Sequence, residues 1–173
     1  MLIIHYFCFG FKSQNRTYNS RVENMYVIFN VSPFHKNIAR AIPKAPKFYF
    51  YDTGQVTGDA GIKLENTVAC ALQKEIHFRE DCFGETGKLY HLRNKDRKEV
   101  DFCVTANGIP KLMVEVKWKD ENLSSNFDIF GKFFKHVKMV QVTKELRREK
   151  TYPNGAEVRI AHSWLANLNI SLD

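Results

Sequence analysis

The sequence predicts an α/β domain built as a helix, a three-strand antiparallel meander, a second helix and a parallel strand. Three observations carry that expectation. Lys98 to Trp118 reads as two apolar-rich strands joined by Asn107-Gly108, residues that tolerate the positive φ angles of a tight hairpin turn. Leu64, Val68, Ala71 and Leu72 recur at the i, i+4, i+7, i+8 spacing of a buried helical stripe. A strand over 137–143 follows a helix that itself follows the hairpin, and strand, helix, strand implies a right-handed crossover with parallel pairing.

Size and charge set the bounds. The 173 residues suffice for one substantial domain with or without a small appendage. Hydrophobic residues at 44% and aromatics at 13% supply a sizeable core, which excludes disorder throughout. A formal charge of +7 favours an anionic partner, and nucleic acid, DNA foremost, is the commonest for a basic soluble chain. Cys8, Cys70, Cys82 and Cys103 form no C-x-x-C pair and lie in apolar runs, so reduced, buried thiols of a cytoplasmic protein are expected. Met1 to Gly10 is apolar but too short to span a bilayer and lacks a basic start and a cleavage site. No membrane segment is expected.

Residues 1–13 are left unplaced. Tyr18, Val22 and Met25 predict a short helix over 16–25, and Tyr26 to Val31 a strand stopped near Ser32-Pro33. His35 to Lys47, broken by Pro43 and Pro46, reads as a second short strand or an arm. Helix and two strands together predict a small winged-helix remnant over 14–46, with a plain N-terminal extension as the competing reading. The main domain is expected over 47–173. Its first strand, Lys47 to Tyr51, ends at Asp52-Thr53-Gly54. Aspartic proteases carry that triplet twice, facing itself, and a single copy is better explained as a strand-ending turn capped by Asp52, with Gly54 at an unusual φ.

The helix carrying the apolar stripe is expected over 62–75, with Glu65 at the stripe's edge able to reach across the sheet. Residues 77–88 read as a loop. Gly84 to Leu89 superficially suggests a phosphate loop, but the glycine spacing is too short and Leu89 stands where a Mg²⁺-binding hydroxyl belongs, so no nucleotide-binding loop is expected. Leu89 to Arg93 is a strand followed by Lys95, Arg97 and Lys98. After the hairpin, Ser124 to Asn126 can cap a helix running to about His136, with Phe127, Phe130, Phe133 and Phe134 on its apolar face. The basic run 144–150 reads as a solvated face usable for phosphate contact, and a last strand and short helix follow around 158–160 and 164–168.

The hairpin carries the chemistry. Val114 and Val116 share one face of the second strand, Glu115 and Lys117 the other. With a two-residue turn alone, Asp101 would fall opposite Val114. A three-residue loop or a single bulge shifts the register by one and is expected to bring Asp101 onto the face of Glu115 and Lys117. Two carboxylates converging with a lysine suit Mg²⁺ or Mn²⁺ and a metal-bound water at a phosphodiester. The plainer reading is a solvated face of paired charges.

The helix with Glu65, the hairpin with Asp101 and Glu115-Val116-Lys117, and the helix and strand after it resemble the core of the PD-(D/E)XK nuclease superfamily, a restriction-endonuclease-like fold. More narrowly, Lys47 to Gly54, Leu64 to Ala69, Lys98 to Phe102 and Val114 to Trp118 look like the C-terminal domain of unknown function in bacterial and archaeal AAA+ family ATPases. The resemblance covers about residues 20–143. It implies that Asp101 and Glu115 ligate the metal, that Lys117 assists the water and that Glu65 completes the acidic cluster, with Gln73 a weaker substrate contact. Arg93, Lys95, Arg97, Lys98 and Lys119 are the candidate nucleic-acid contacts. Because no ATPase module is legible, the resemblance also implies a truncated product or domain fragment, with an ATPase as a candidate partner. Two functions are therefore expected to compete: a Mg²⁺-dependent DNA phosphodiesterase, and a catalytically inactive module that binds nucleic acid or docks an ATPase.

Overall fold

Residues 16–34, 45–134 and 136–172 are described in the structure, a computed structural model. A short helix, α1 (Arg16–Asn24), leads into strand β1 (Ile28–Pro33), and β2 (Lys47–Phe50) pairs antiparallel with it. The expected unplaced segment 1–13 and most of the arm between these strands lie outside the described residues. Pro33 and Ser32 of β1 also pair, in parallel, with His91 and Tyr90 of β3 (Gly87–Arg93). The two N-terminal strands therefore extend the main sheet.

A long helix comes next. α2 (Ala60–Phe83) begins where the Asp59 carboxylate accepts the Ile62 N–H at 2.9 Å and ends at Gly84, whose φ of 69° supplies the left-handed cap. Its length corrects the expectation of a loop from residue 77. The apolar stripe stops at Ile76, but Arg79 is held by Glu75 at 3.0 Å, by Glu85 at 3.6 Å and by Asn169 of the C-terminal tail, so the last turns are fastened by distant chain.

β3, β4 (Glu99–Ala106) and β5 (Ile109–Lys117) form the antiparallel meander. Asn107 and Gly108 both have positive φ, 50° and 75°, and close a two-residue turn with Ala106 opposite Ile109. Helix α3 (Asn126–Gly131) is shorter than the helix expected to run to His136. The chain leaves it so that Phe134 packs edge-on against Phe34 at 5.8 Å, and His136 takes a left-handed φ of 61°. β6 (Lys138–Thr143) then lies parallel to β5, with Lys117 beside Thr143. β7 (Lys150–Thr151), β8 (Glu157–Ile160) and α4 (Ala161–Ala166) complete one sheet of order β2-β1-β3-β4-β5-β6-β8-β7 with three parallel and four antiparallel pairings.

Each sheet face buries its own core. α2 covers one with Leu64, Val68 and Leu72 on Phe102, Val114 and Val140, joined by Ile170 and Leu172 of the tail. α3 covers the other with Phe127 and Phe130 on Leu92, Val100 and Met113. Among the described residues no helix is long and apolar enough to cross a membrane. The cysteines differ from expectation in part: Cys103 is buried, Cys70 half-buried with its Sγ on the Phe50 carbonyl at 3.0 Å, and Cys82 exposed, while Cys8 lies outside the described residues.

Buried Asn66 of α2 brackets strand β2, accepting the Phe50 N–H and donating to the Phe50 carbonyl, both at 2.9 Å. Asn66→Ala removes both bonds at once, and such losses cost about 1–3 kcal/mol. The expected outcome is a urea midpoint lowered with unchanged slope; an unchanged midpoint would show that the bracket carries no net stability.

Candidate functional site

The hairpin register is shifted by a bulge at Lys111: Thr105 pairs with Pro110, but Val104 pairs with Leu112 and Phe102 with Val114. Asp101 therefore comes level with Glu115 along the strands. A second irregularity intervenes. Against β3, Tyr90 pairs with Cys103 and Leu92 with Val100, so Asp101 and Phe102 together oppose His91. Such a bulge turns both side chains to the same side. Phe102 packs in the α2 core, and Asp101 and Glu99 both reach Lys47 beside that layer.

Glu115 goes the other way. Val114 and Val116 pack with the α2 core and Met113 with the α3 core, so strand alternation puts Glu115 in the α3 layer. Its Oε1 accepts from Lys117 Nζ at 2.8 Å, with Ser124 Oγ at 3.4 Å and Asn126 Nδ2 at 3.5 Å. The expectation that Asp101 shares a face with Glu115 and Lys117 is thus corrected: the strand-hairpin bulge matches their heights, and the bulge beside β3 separates their layers. They remain close. The β4–β5 ladder ends at Phe102 and Val114, and beyond it Asp101 Oδ2 accepts the Val116 N–H at 2.9 Å, the amide that lies between Glu115 and Lys117.

Lys47 is the residue that strand reading passed over. Its ammonium lies 2.5 Å from Glu99, 3.3 Å from Glu65 and 3.7 Å from Asp101. Tyr49, two residues on along β2, donates its hydroxyl to the same Glu65 oxygen at 2.6 Å, and Arg93 Nη1 reaches Glu99 at 3.2 Å. The alternation of Lys47 with Tyr49 was the available signal, since both must project from one face of the strand.

The electrostatics follow from this crowding. Burial opposes the charge on Lys47, yet Glu65, Asp101 and Glu99 outweigh it and raise its pKa well above the usual lysine value. Glu99 is opposed by burial too, and Lys47 nonetheless holds its carboxyl below the ordinary range. Burial, then Glu65, pushes Asp101 up to about 7, against the pull of Lys47. Lys117 is raised by its bond to Glu115, although burial works the other way.

Among the described residues no three His, Cys, Asp or Glu side chains gather as a metal-binding group, and the Lys47 ammonium stands among Glu65, Glu99 and Asp101. Among the described residues Glu115 Oε2 and Arg93 Nε are buried without a hydrogen-bond partner.

The remaining candidates divide. Arg93 and Lys119 are engaged, Arg93 with Glu99 and Lys119 with Glu145 at 2.8 Å. Lys95, Arg97 and Lys98 are exposed on the β3–β4 turn, and among the described residues none pairs with a carboxylate. Gln73 bonds His77 at 2.6 Å within α2. Asp52 caps the turn Thr53–Gln55 by accepting the Gly54 N–H at 2.9 Å, which accounts for the Asp-Thr-Gly triplet, although Gly54 has no positive φ.

Because the folded pKa of Asp101 is raised above its unfolded value of about 4, its contribution favours the folded state below pH 4 and is lost as pH rises through about 7. Asp101→Asn abolishes that titration. Denaturation at a series of pH values is expected to show the wild type losing stability relative to Asp101→Asn between about pH 4 and 7, with a constant difference above. Parallel curves throughout would mean that Asp101 titrates normally.

Comparison with known proteins adds a family. Neither curated proteins nor solved structures gave a match to this chain. The family described as a domain of unknown function, DUF4143, matches residues 60–162, a span that runs from the first residue of α2 to the start of α4 and takes in Glu65, Asp101, Glu115 and Lys117. With more than half of its length so matched, the chain belongs to the DUF4143 family.

Proposed function

We propose that this chain is a PD-(D/E)XK-like domain that binds nucleic acid, DNA foremost, without cutting it. The observation that carries the reading is Lys47, whose ammonium sits among Glu65, Glu99 and Asp101 and fills with an internal cation the place where a divalent ion would be wanted. A helix, a three-strand meander, a helix and a strand parallel to the meander's last follow in the order that the superfamily resemblance implies, which supports the restriction-endonuclease-like assignment. Binding is supported by the charge of +7 and by Lys95, Arg97 and Lys98, three exposed cations on one turn that pair with no carboxylate among the described residues. Resemblance to the C-terminal domain of AAA+ family ATPases supports an ATPase as a second partner. On that resemblance, residues 14–46 are the remnant of a winged helix.

A second reading keeps one observation in its favour. The orphaned Oε2 of Glu115 is a buried anionic atom that lacks a partner, and such an atom is costly unless something satisfies it. In that reading Asp101 and Glu115 hold Mg²⁺ or Mn²⁺ and the domain is a phosphodiesterase of endonuclease type.

One experiment separates the two. Supercoiled plasmid incubated with the protein and Mg²⁺ or Mn²⁺ is expected to stay intact while a labelled duplex binds, with affinity falling steeply as salt rises. The triple variant Lys95→Ala, Arg97→Ala, Lys98→Ala is expected to flatten the slope of log K against log salt by about three. Nicking that disappears in Asp101→Ala would replace this reading with the catalytic one.

A further inference from the structure

The parallel strands β5, β6 and β8 end side by side, with Lys117 next to Thr143 and Thr143 next to Ile160. Open α/β sheets accept ligands at the carboxyl ends of such strands. A cleft of about 550 Å³ opens there, lined by Lys119, Lys144, Arg147 and His162 together with Glu121 and Glu145.

The charges of this cleft do not cancel evenly. Both acids are matched, Glu145 by Lys119 at 2.8 Å and by the Trp118 indole N–H at 3.0 Å, Glu121 by Lys150 at 3.6 Å. Lys144 and Arg147 are exposed, and among the described residues neither pairs with a carboxylate. Unpaired cations in a concave surface concentrate positive potential. A planar guanidinium beside a flexible ammonium suits a phosphate, the one through paired N–H donors and the other as a point charge.

We propose that this cleft seats a backbone phosphate of the bound nucleic acid, with Lys144 and Arg147 as its contacts; the inference rests on the nucleic-acid reading above. Position supports it. β4 runs antiparallel to β5, so the β3–β4 turn with Lys95, Arg97 and Lys98 closes over the same end of the sheet as the cleft. From β4 to β6 is two strand spacings, about 10 Å, or roughly three nucleotides at the rise of one strand. Turn and cleft then form two stations on one path. Lys117 and Lys119 lie between them, each already committed to a glutamate.

The test is fluorescence anisotropy with a labelled 20-base-pair duplex titrated at several salt concentrations. Lys144→Ala with Arg147→Ala is expected to weaken binding about tenfold and to flatten the salt slope by about two, as the loss of two phosphate contacts requires. Lys138→Ala, at the opposite end of β6, is expected to bind as the wild type does. If the wild type binds and the double variant matches it in affinity and slope while the turn variant fails, the cleft is overturned and the nucleic-acid reading stands. If the wild type binds no duplex at any salt, both fall. A thermal melt of the double variant, whose changed residues are exposed, is expected to coincide with the wild type.

Discussion

Three carboxylates cannot share one corner of a fold unless something positive stands among them, and here the Lys47 ammonium does so. The acids arrive on two supports: Glu65 on the first turns of α2, Glu99 and Asp101 on the first residues of β4. The lysine comes from an edge strand, β2, that is otherwise held by four register pairs with β1 and by the Asn66 bracket. The ion cluster therefore ties edge strand, helix and central meander together at one point. Removing one partner from such a cluster is more damaging than never having formed it, since the charges left behind remain partly buried. Burial and the neighbouring Glu65 carboxylate raise the pKa of Asp101 against the pull of Lys47.

The two bulges explain how acids so close in sequence pattern come to serve different layers. Lys111 bulges out of β5 and sets the heights, while Asp101 and Phe102 together oppose His91 and set the faces. Separation of the strands past Phe102 would leave backbone groups unpaired. Asp101 takes the Val116 N–H, and Asn126 donates to the Glu99 carbonyl at 2.6 Å. Ser124 and Asn126 are drawn toward Glu115, and at the start of α3 Ser124 Oγ also accepts the Asn126 N–H at 3.4 Å.

Charge is distributed unevenly over the molecule in a way that bears on partners. Most cations near the hairpin are committed: Lys47, Arg93, Lys117 and Lys119 all hold glutamates. Lys95, Arg97 and Lys98 on the β3–β4 turn and Lys144 and Arg147 after β6 pair with no carboxylate among the described residues and lie toward one end of the sheet, while Lys63, Lys74 and Lys88 are exposed elsewhere. A row of cations attracts a linear polyanion more readily than a small acid, because successive phosphates meet successive cations.

The sequence by itself determined the α/β class, the Asn107-Gly108 hairpin, the apolar stripe of α2 and the parallel pairing of β5 with β6, since each follows from local period or turn chemistry. It also placed Glu65, Asp101, Glu115 and Lys117 near one another. Only the tertiary structure decided which way Asp101 faces, because a bulge depends on the neighbouring strand and leaves no mark in the period of its own. The last turns of α2 depend likewise on Arg79 meeting Asn169, and the role of Lys47 on side chains 18 to 54 residues away, contacts that no local pattern encodes.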